Sequence, residues 1–504
     1  MAAEHRTIEH PAPEHVDVLV VGAGLSGIGA ACHLQEECPD RTYAVLESRG
    51  AIGGTWDLFR YPGIRSDSDM FTLGYAFRPW QDSQAIADGA DIRTYIRDTA
   101  REYGVEEKIR FHHQVLSAEW STDEARWAVT ARRTDTGETV QLTCSWLSAC
   151  SGYYRYDEGF RPDFPGEERF AGEQIHPQHW PEDFDATGKR IVVIGSGATA
   201  VTLVPNLADA AEHVTMLQRT PSYVMSLPGR DPLARFLHSL LPPTLAYPIV
   251  RWKNVLVSTA FYQFSQRWPA AARTLLRRLT QKQVPDVDVD THFNPPYDPW
   301  DQRLCLVPDG DLFRALRRGQ AAIATGRIAT FTEKGVQLES GEHLDADVIV
   351  TATGLNLLAM GGMTLAVDGR PVELSETVSY KGMMLSGVPN FSMVIGYTNA
   401  SWTLKADLVN RYVCRLINHL GARGYVSATP LAPPEGADQP FLDLASGYVQ
   451  RSLADLPKQG RRKPWKLHQN YIRDVGLLRR GSLEDEGMTF QRRVPATTTE
   501  KAVA

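Results

Sequence analysis

The stretch Val16-Asp17-Val18-Leu19-Val20-Val21-Gly22-Ala23-Gly24-Leu25-Ser26-Gly27 decides the fold of the N-terminal part of the chain. Its β-branched run predicts a strand, and its Gly-x-Gly-x-x-Gly loop leads into a helix-like segment at residues 28–34. A second strand-like run, residues 43–46, ends at Glu47, twenty residues after Gly27. Strand, glycine loop, helix, strand and acidic residue at this spacing are typical of a dinucleotide-binding unit.

The residue types in this unit favour FAD. Glycines let the backbone turn tightly and approach a pyrophosphate, whose charge then lies at the helix N-terminus. A carboxylate at Glu47 accepts hydrogen bonds from a ribose and disfavours a 2′-phosphate. The contacts expected from this unit are Gly22, Gly24, Ser26, Gly27 and Glu47.

A second unit of the same kind follows in the middle of the chain. The strand-like residues 190–194 lead into a glycine loop that has Ala in the third glycine position. The next strand, residues 214–218, ends in Arg219 and Thr220 where the acid would stand. A cation and a hydroxyl there suit a 2′-phosphate, so the second nucleotide is predicted to be NADPH. The contacts expected on this side are Gly195, Ser196, Gly197, Ala198, Thr199, Ala200, Arg219 and Thr220.

The composition, net charge and cysteine spacing of the chain exclude several classes of protein. The chain has 504 residues, 43% of them hydrophobic and 22% charged, which fits a globular protein of about three domains. A net charge of −7 gives no basic footprint for nucleic acid. The six cysteines show neither CxxC nor zinc-like spacing, so we expect reduced, mostly buried thiols and no metal site. Without a signal-like N-terminus or an apolar run of spanning length, a cytoplasmic protein is expected.

Between the two glycine loops lies Phe170-Ala171-Gly172-Glu173-Gln174-Ile175-His176-Pro177-Gln178-His179-Trp180-Pro181. This segment matches every defined position of the pattern Phe-x-Gly-x-x-x-His-x-x-x-Trp-Pro. The chain therefore resembles the Baeyer–Villiger monooxygenases, the ketone-oxidising branch of the class B flavoprotein monooxygenases. Within them it is similar to the mycobacterial ethionamide-activating branch.

The resemblance implies an α/β fold with two Rossmann-like dinucleotide-binding domains, a discontinuous FAD domain and an inserted NADPH domain. The expected parts are a first FAD-binding part (1–155), a linker with the fingerprint (156–188), an NADPH-binding domain (189–345) with a helical insertion at about 231–296, and a second FAD-binding part with the C-terminal segment (346–504). Strand 347–351 is expected to return to the FAD domain, and about ten C-terminal residues to form a disordered tail.

The resemblance also carries site residues over to this sequence. Cofactor contacts are implied for Gly54, Thr55, Trp56, Asp57, Leu58, Arg65, Ser66, Asp67 and, through its backbone, Val115. Arg303 matches the active-site arginine, and Asp67 would hold its guanidinium. Many relatives carry Lys before this arginine, where it helps to bind the 2′-phosphate. This chain has Gln302, which leaves more of the NADPH preference to Arg219 and Thr220.

The implied chemistry is that NADPH reduces FAD, dioxygen adds to give a C4a-peroxyflavin, and a ketone becomes an ester or lactone. A second activity on sulfides or thioamides is expected, so the partners are a small ketone or sulfide and O₂. The chain would be a monomer or a homodimer. In the fingerprint, Gly172 would permit a bend, and His176 and Trp180 would share one face if the segment is helical. The alternative is a packed linker without chemistry.

Three other functions compete with this one. A heteroatom oxygenase would oxidise sulfur or nitrogen, although Trp180 argues against the amine-oxidising branch. A flavin disulfide reductase needs a redox cysteine pair beside the flavin, and Cys32 and Cys38 have the wrong spacing. A redox-sensing flavoprotein would bind both nucleotides without turnover, which Arg303, Asp67 and the complete fingerprint disfavour.

Residues 251–285 contain seven basic residues and no acidic residue. A basic amphipathic segment can lie on a membrane surface or a partner. The other reading is a helical insertion whose charges are only solvated.

Overall fold

A computed structural model describes residues 13–442 and 444–493, and the expected C-terminal tail lies outside this range. The strands are β1 (Glu14–Val21), β2 (Tyr43–Leu46), β3 (Ile109–Arg110), β4 (His113–Ser121), β5 (Arg126–Arg133), β6 (Thr139–Ala149), β7 (Tyr154–Gly159), β8 (Glu173–Ile175), β9 (Arg190–Ile194), β10 (His213–Gln218), β11 (Val224–Leu227), β12 (Cys305–Pro308), β13 (Ala321–Thr325), β14 (Ile328–Thr332), β15 (Gly335–Leu338), β16 (His343–Asp345), β17 (Val348–Thr351), β18 (Leu355–Leu357), β19 (Thr364–Val367), β20 (Arg370–Pro371), β21 (Ser379–Tyr380), β22 (Met384–Leu385), β23 (Phe391–Met393), β24 (Tyr425–Pro430), β25 (Gln439–Pro440), β26 (Lys458–Gln459) and β27 (Met488–Arg492). The helices are α1 (Leu25–Glu37), α2 (Thr55–Leu58), α3 (Met70–Leu73), α4 (Gly89–Glu102), α5 (Ala198–Ala208), α6 (Pro232–His238), α7 (Pro243–Arg267), α8 (Pro269–Gln283), α9 (Val289–His292), α10 (Asp311–Arg317), α11 (Trp402–Arg423), α12 (Gly447–Ser452) and α13 (Tyr471–Asp474).

The first domain is built on a nine-stranded sheet in the order β20-β19-β4-β5-β6-β1-β2-β3, with β23 also paired to β6. Strands β1, β2 and β6 run parallel, as the strand–loop–helix pattern predicts. Strands β4, β5 and β6 form an antiparallel meander. Helix α1 packs against α11 from the C-terminal half of the chain, so the core of this domain joins two distant parts of the sequence.

The second domain contains a five-stranded, fully parallel sheet in the order β13-β10-β9-β17-β8. Together with the first sheet it confirms the predicted α/β class. Two predicted boundaries are corrected, because β8 lies in the segment assigned to the linker and β17 in the segment assigned to the FAD domain. Both strands pair within this sheet, and their buried β-branched residues complete its core.

A two-stranded antiparallel ribbon connects the two domains. Strand β7 leaves the first domain and β18 returns to it, with Leu355 opposite Gly159 and Leu357 opposite Tyr154. The second domain is therefore inserted between two neighbouring strands, and both of its chain connections run side by side.

The insertion at 231–296 is helical, as predicted, and comprises α6, α7, α8 and α9. Arg251 of α7 is buried and donates hydrogen bonds to the carbonyls of Phe71 (2.7 Å) and Gly74 (2.8 Å) at the end of α3. Its Nη2 lies 3.6 Å from a carboxylate oxygen of Asp407 in α11. The insertion thus packs on the first domain through a buried cation.

The reading of residues 251–285 as a segment whose cations are all solvated is wrong in part. Four of the seven cations pair with carboxylates outside the segment: Arg251 with Asp407, Lys253 with Asp231, Arg273 with Asp298 and Arg277 with Asp290. Asp290 belongs to the acidic run that directly follows the segment, whereas the other three partners were not predicted because they lie elsewhere in the chain. Within residues 13–442 and 444–493, every helix is too short or too polar to cross a lipid bilayer.

Candidate active site

The first glycine loop has the close contacts that its glycines predict. Gly22 has φ +104°, and a Cβ there would lie 2.8 Å from the Cys150 carbonyl oxygen. A Cβ on Gly27 would lie 1.8 Å from the carbonyl oxygen of Gly22, so α1 could not approach the loop. A Cβ on Gly24 would be 3.5 Å from the Cα of Gly54, which places the second glycine segment directly against the first. The backbone amides at the start of α1 therefore face a narrow space bounded by two glycine segments.

Glu47 is buried at the end of β2. Its Oε2 accepts a hydrogen bond from the Ala23 amide (2.8 Å), and its Oε1 accepts one from the Arg49 amide (2.9 Å). Burial raises the pKa of Glu47, against these amide hydrogen bonds, which favour the carboxylate. The carboxylate is held in one orientation against the glycine loop.

One cavity of about 520 Å³ joins the first loop to the interface between the domains. It brings together many of the predicted residues: Gly22, Gly24, Ser26, Glu47, Gly54, Thr55, Trp56, Arg65, Ser66, Asp67, Val115, Ala198, Thr199 and Arg303. Next to Val115, a β-bulge at Leu116 interrupts the pairing of β4 with β5. The cavity thus runs from the end of β2 to the helix that opens the second unit.

Arg303 and Asp67 form an ion pair in the wall of this cavity. The Arg303 Nε lies 2.7 Å from Oδ2 of Asp67, and its Nη2 donates to Oδ1 at 3.1 Å. The side chains are 33% and 27% exposed, which is exposure to the cavity. The Asp67 charge raises the pKa of Arg303 above its already high ordinary value. A permanently charged guanidinium is therefore fixed in a two-point contact, in agreement with what the resemblance implies for Asp67 and Arg303.

The loop from Arg60 to Asp67 bridges the two domains. Arg65 pairs with Asp311 at the start of α10 (2.5 Å). A Cβ on Gly63, which has φ +71°, would overlap the side chain of Asn206 in α5. Burial raises the pKa of Tyr61 to about 12, against a hydrogen bond to Thr199. This loop holds Asp67, and with it Arg303, in register with the second glycine loop.

Asp57 and Leu58, both predicted as cofactor contacts, lie outside the residues that line the cavity. Asp57 is buried among three arginines: Arg49 at 2.8 Å, Arg60 at 2.8 Å and Arg93 at 3.4 Å. Its carboxylate is therefore occupied by the protein itself. The geometry therefore does not favour a direct contact between the Asp57 side chain and the cofactor.

The second glycine loop repeats the geometry of the first. Gly195 has φ +144°, and a Cβ there would lie 2.3 Å from the carbonyl oxygen of Ala352. Ser196 Oγ donates to the carbonyl of Thr220 (2.9 Å), which ties the loop to the end of β10. A Cβ on Gly197 would meet no heavy atom within 4 Å, so this side of the loop is open. Arg219 is exposed, and among the described residues no carboxylate pairs with it. Its guanidinium is free to bind a phosphate.

Three aromatic residues that line the cavity are absent from the predicted site residues: Trp402, Tyr153 and Tyr154. Trp402 lines the cavity and donates its Nε1–H to Ser26 Oγ at 2.7 Å. Tyr153 stacks on Trp402 with ring centroids 5.1 Å apart, and Tyr154 lies beside it. Burial raises the pKa of Tyr154 to about 12. The aromatic stretch at 153–156 was the available signal, but only the fold brings it to Arg303.

The fingerprint segment forms strand β8 and the 3₁₀ turn Pro177–His179. The His176 Nδ1 accepts the Gln178 amide (3.2 Å), and the His176 ring packs on Gly159 of the ribbon, where a Cβ would be 1.9 Å from the ring. Burial lowers the pKa of His176. Gln178 donates to the carbonyls of Arg155 (3.0 Å) and Tyr156 (2.9 Å). The segment is thus bound to β7.

Two predictions about this segment are wrong. His176 and Trp180 do not share a helical face: His176 contacts the ribbon, whereas Trp180 packs on Phe184 at the core of the second domain. Gly172 is needed for close approach rather than for a bend, since a Cβ there would lie 2.3 Å from the Asp347 carbonyl oxygen. The reason is that β8 pairs with β17, which was expected in the other domain.

For the flavin-dependent oxygenation that the resemblance implies, we predict that His176→Ala lowers the yield of oxygenated product per NADPH by a factor of about ten, since small misplacements of reacting groups cost this much or more. The ring fills the space above Gly159 and so sets the angle between ribbon and second domain. Rapid mixing would show slower flavin reduction or more released hydrogen peroxide. His179→Ala, in the same turn but exposed, serves as control. If flavin reduction and hydrogen peroxide release are normal in the His176 variant, the role of His176 is limited to packing.

Comparison with known proteins agrees with this geometry. The profile of the family described as flavin-binding monooxygenase-like matches residues 15–359. The FAD-containing monooxygenase EthA of Mycobacterium tuberculosis is 56% identical over 483 residues, which cover 95% of this chain and 98% of that protein. The protein of the same name from Mycolicibacterium smegmatis is 51% identical over 492 residues, covering 97% of this chain and 100% of that protein.

Solved structures show the same fold at low identity. Oxidized steroid monooxygenase bound to NADP has a TM-score of 0.74 and 23% identity, covering 95% of this chain and 100% of that chain. Cyclohexanone monooxygenase in an open crystal structure has a TM-score of 0.71 and 21% identity, with the same coverage. On the extent of the profile match and the identity to its relatives, this chain belongs to the flavin-binding monooxygenase-like family.

Proposed function

We propose that this chain is an NADPH- and O₂-dependent Baeyer–Villiger monooxygenase that converts ketones to esters or lactones and also oxidises sulfides or thioamides. The reaction consumes one ketone, one O₂, one NADPH and one proton, and gives one ester, NADP⁺ and water. The single observation that supports it best is the two-point Arg303–Asp67 pair, fixed in a cavity between two dinucleotide-type loops.

The residues of the first loop fit FAD. Gly22 and Gly27 permit a backbone approach that any side chain would block, and the α1 amides face the cavity. Glu47 is a fixed acceptor at the end of β2, as a ribose requires. When bound, FAD reduced by NADPH would supply the electrons that activate dioxygen. The relatives named above are FAD-containing monooxygenases, in agreement with this cofactor.

Arg303 supplies the fixed positive charge that the chemistry needs. Oxygen insertion beside a carbonyl places negative charge on oxygen atoms, and a preorganised donor stabilises that charge in a site that excludes water. Asp67 holds the guanidinium plane, and the half-buried Tyr153 and Tyr154, which line the same cavity, limit water on one side of it. The predicted catalytic pair therefore acts through orientation and charge.

Arg219 and Thr220 select NADPH in this proposal. We predict that Arg219→Ala raises the KM for NADPH about tenfold or more, as expected from loss of one charge-assisted contact of roughly 1.5–3 kcal/mol. The KM for NADH should remain nearly unchanged, because NADH carries no 2′-phosphate. Steady-state oxidation of both cofactors measures the two values.

The matched control for this prediction is Arg318→Ala. Arg318 is an exposed arginine of the second domain that follows α10 and is far from the end of β10 in the sequence. It should leave both KM values unchanged. An equal rise for both cofactors in the Arg219 variant would mean that the phosphate is bound elsewhere.

Product analysis on a panel of linear, cyclic and aryl ketones, with NADPH and ¹⁸O₂, tests the reaction itself. Ester or lactone with one ¹⁸O atom is the expected product. Oxidation of thioanisole without ester from any ketone would instead make the chain a heteroatom oxygenase. Binding of both nucleotides without substrate-stimulated oxygen uptake would instead support a redox-sensing function for the chain. The location in the cytoplasm stays a prediction.

A further inference from the structure

Large apolar side chains are exposed on the insertion far more than elsewhere. Of the twelve large hydrophobic residues that are exposed in the described part of the chain, ten lie on or between α6, α7 and α8, and they are 41–64% exposed. They are Phe236, Leu240, Leu245, Ile249, Trp252, Leu256, Val257, Trp268, Leu275 and Leu279. A concentration of this kind marks an interaction surface, whereas single exposed hydrophobics do not.

The spacing of these residues gives each long helix one apolar stripe. On α7, Leu245, Ile249, Trp252 and Leu256 follow one another at intervals of four, three and four residues, which keeps them on one face. On α8, Leu275 and Leu279 are four residues apart, and Trp268 lies between the two helices, directly before α8. The helices pack on one another, α6 against α7 and α7 against α8. We name this surface, made by the ten residues above, the apolar face.

The helices that carry the apolar face contribute only positive charge of their own. Residues 232–285 include no aspartate or glutamate, although the whole chain carries a net charge of −7. Arg235, Arg278 and Lys282 are exposed, and no carboxylate of the described residues pairs with them. The guanidinium carbon of Arg267 lies over the ring of Trp268, 5.9 Å from its centroid. Arg278 and Lys282 flank the α8 stripe, three residues after Leu275 and Leu279 respectively.

We propose that the apolar face docks this protein onto an anionic lipid bilayer surface. Leu, Ile and Trp side chains enter the interfacial region, while Arg235, Arg267, Arg278 and Lys282 remain at the headgroups. The exposed Trp252 and Trp268 are of the residue type that favours this boundary. The helices lie on the bilayer and do not span it.

Charge decides between a bilayer and a second copy of the chain. A two-fold interface through this face would bring Arg278, Lys282 and their neighbours against the same cations of the other copy. An anionic bilayer instead attracts each of them, by a factor of about five per cation near the surface. The proposal does not depend on the reaction that the cavity performs.

Co-sedimentation of the FAD-loaded protein with sucrose-filled vesicles tests the proposal. Wild type should bind phosphatidylglycerol/phosphatidylcholine vesicles at least tenfold more tightly than pure phosphatidylcholine vesicles, and more weakly as salt rises. Leu256→Glu should weaken binding about tenfold. Ser258→Glu is the matched control, since it adds the same charge two residues away, on the opposite side of α7, and should change binding less than threefold.

A double variant tests the electrostatic contribution to vesicle binding. Arg278→Gln with Lys282→Gln should weaken binding to anionic vesicles more than tenfold and reduce its salt dependence, while binding to neutral vesicles stays the same. Wild type that remains in the supernatant with anionic vesicles overturns the proposal, as does equal binding by the Leu256 and Ser258 variants. A concentration-dependent dimer that Leu256→Glu dissociates, without vesicle binding, would assign the face to a second copy and overturn the proposal equally.

Discussion

Arg303→Ala is expected to lose ester formation while it retains FAD and is still reduced by NADPH. The guanidinium lines the cavity and is held there by Asp67. Loss of one preorganised donor to a developing oxyanion costs about 2.7–4 kcal/mol, or roughly 100- to 1000-fold in rate. FAD binding should survive, because Arg303 bonds to Asp67, whereas Glu47 is held by the amides of Ala23 and Arg49. Flavin absorbance, anaerobic reduction by NADPH and product yield measure the three steps separately.

Two further substitutions separate charge from orientation. Arg303→Lys keeps a cation but cannot make the two-point contact with Asp67, so it should recover only part of the lost rate. Asp67→Asn leaves the arginine charged and removes its ionic partner, and a smaller loss is expected. Ester formation by Arg303→Ala at the wild-type rate would remove this residue from the reaction.

Arg251→Ala should destabilise the protein by about 3–5 kcal/mol, the cost of breaking a buried ionic contact on one side. The guanidinium satisfies the carbonyls of Phe71, Thr72 and Gly74 at the end of α3, and it faces Asp407. Burial alone would raise the pKa of Asp407, yet His33 and Arg251 hold it below its ordinary value. Without Arg251, three carbonyl oxygens lose their donor and the buried Asp407 carboxylate loses one of its two cationic partners.

Thermal unfolding followed by flavin release measures this effect, and the apparent midpoint should fall by about 5 °C or more. Arg278→Ala is the control, since it removes an exposed arginine of the neighbouring helix that has no carboxylate partner in residues 13–442 or 444–493. A shift in the Arg251 variant no larger than in the control would contradict the structural role given to the buried cation.

Local sequence patterns predicted the strands and helices of the two glycine-loop units well. They did not predict which distant residues and strands pair. The runs that became β1, β2, β9 and β10 were identified because a strand, a glycine loop and a helix follow within about thirty residues. The Arg303–Asp67 contact, 236 residues apart, was reached through a family pattern rather than through spacing. No such pattern covered the partners Trp402 and Ser26, or Arg251 and Asp407. For the same reason β8 and β17 were assigned to the wrong parts, since strands of three and four residues are too short to specify which sheet they join.

The ribbon of β7 and β18 has a consequence for how the chain is made on the ribosome. In effect the second domain is the loop of a β-hairpin, a loop of about 195 residues between Gly159 and Leu355. All five strands of its sheet lie within residues 173–351, so it can fold while the C-terminal part is still being synthesised. The first sheet cannot, because β19, β23 and α11 come later. At about 5–20 residues per second, its N-terminal half waits roughly 10–40 s for the inserted domain alone, with the surface of α1 that α11 will cover still open to chaperones.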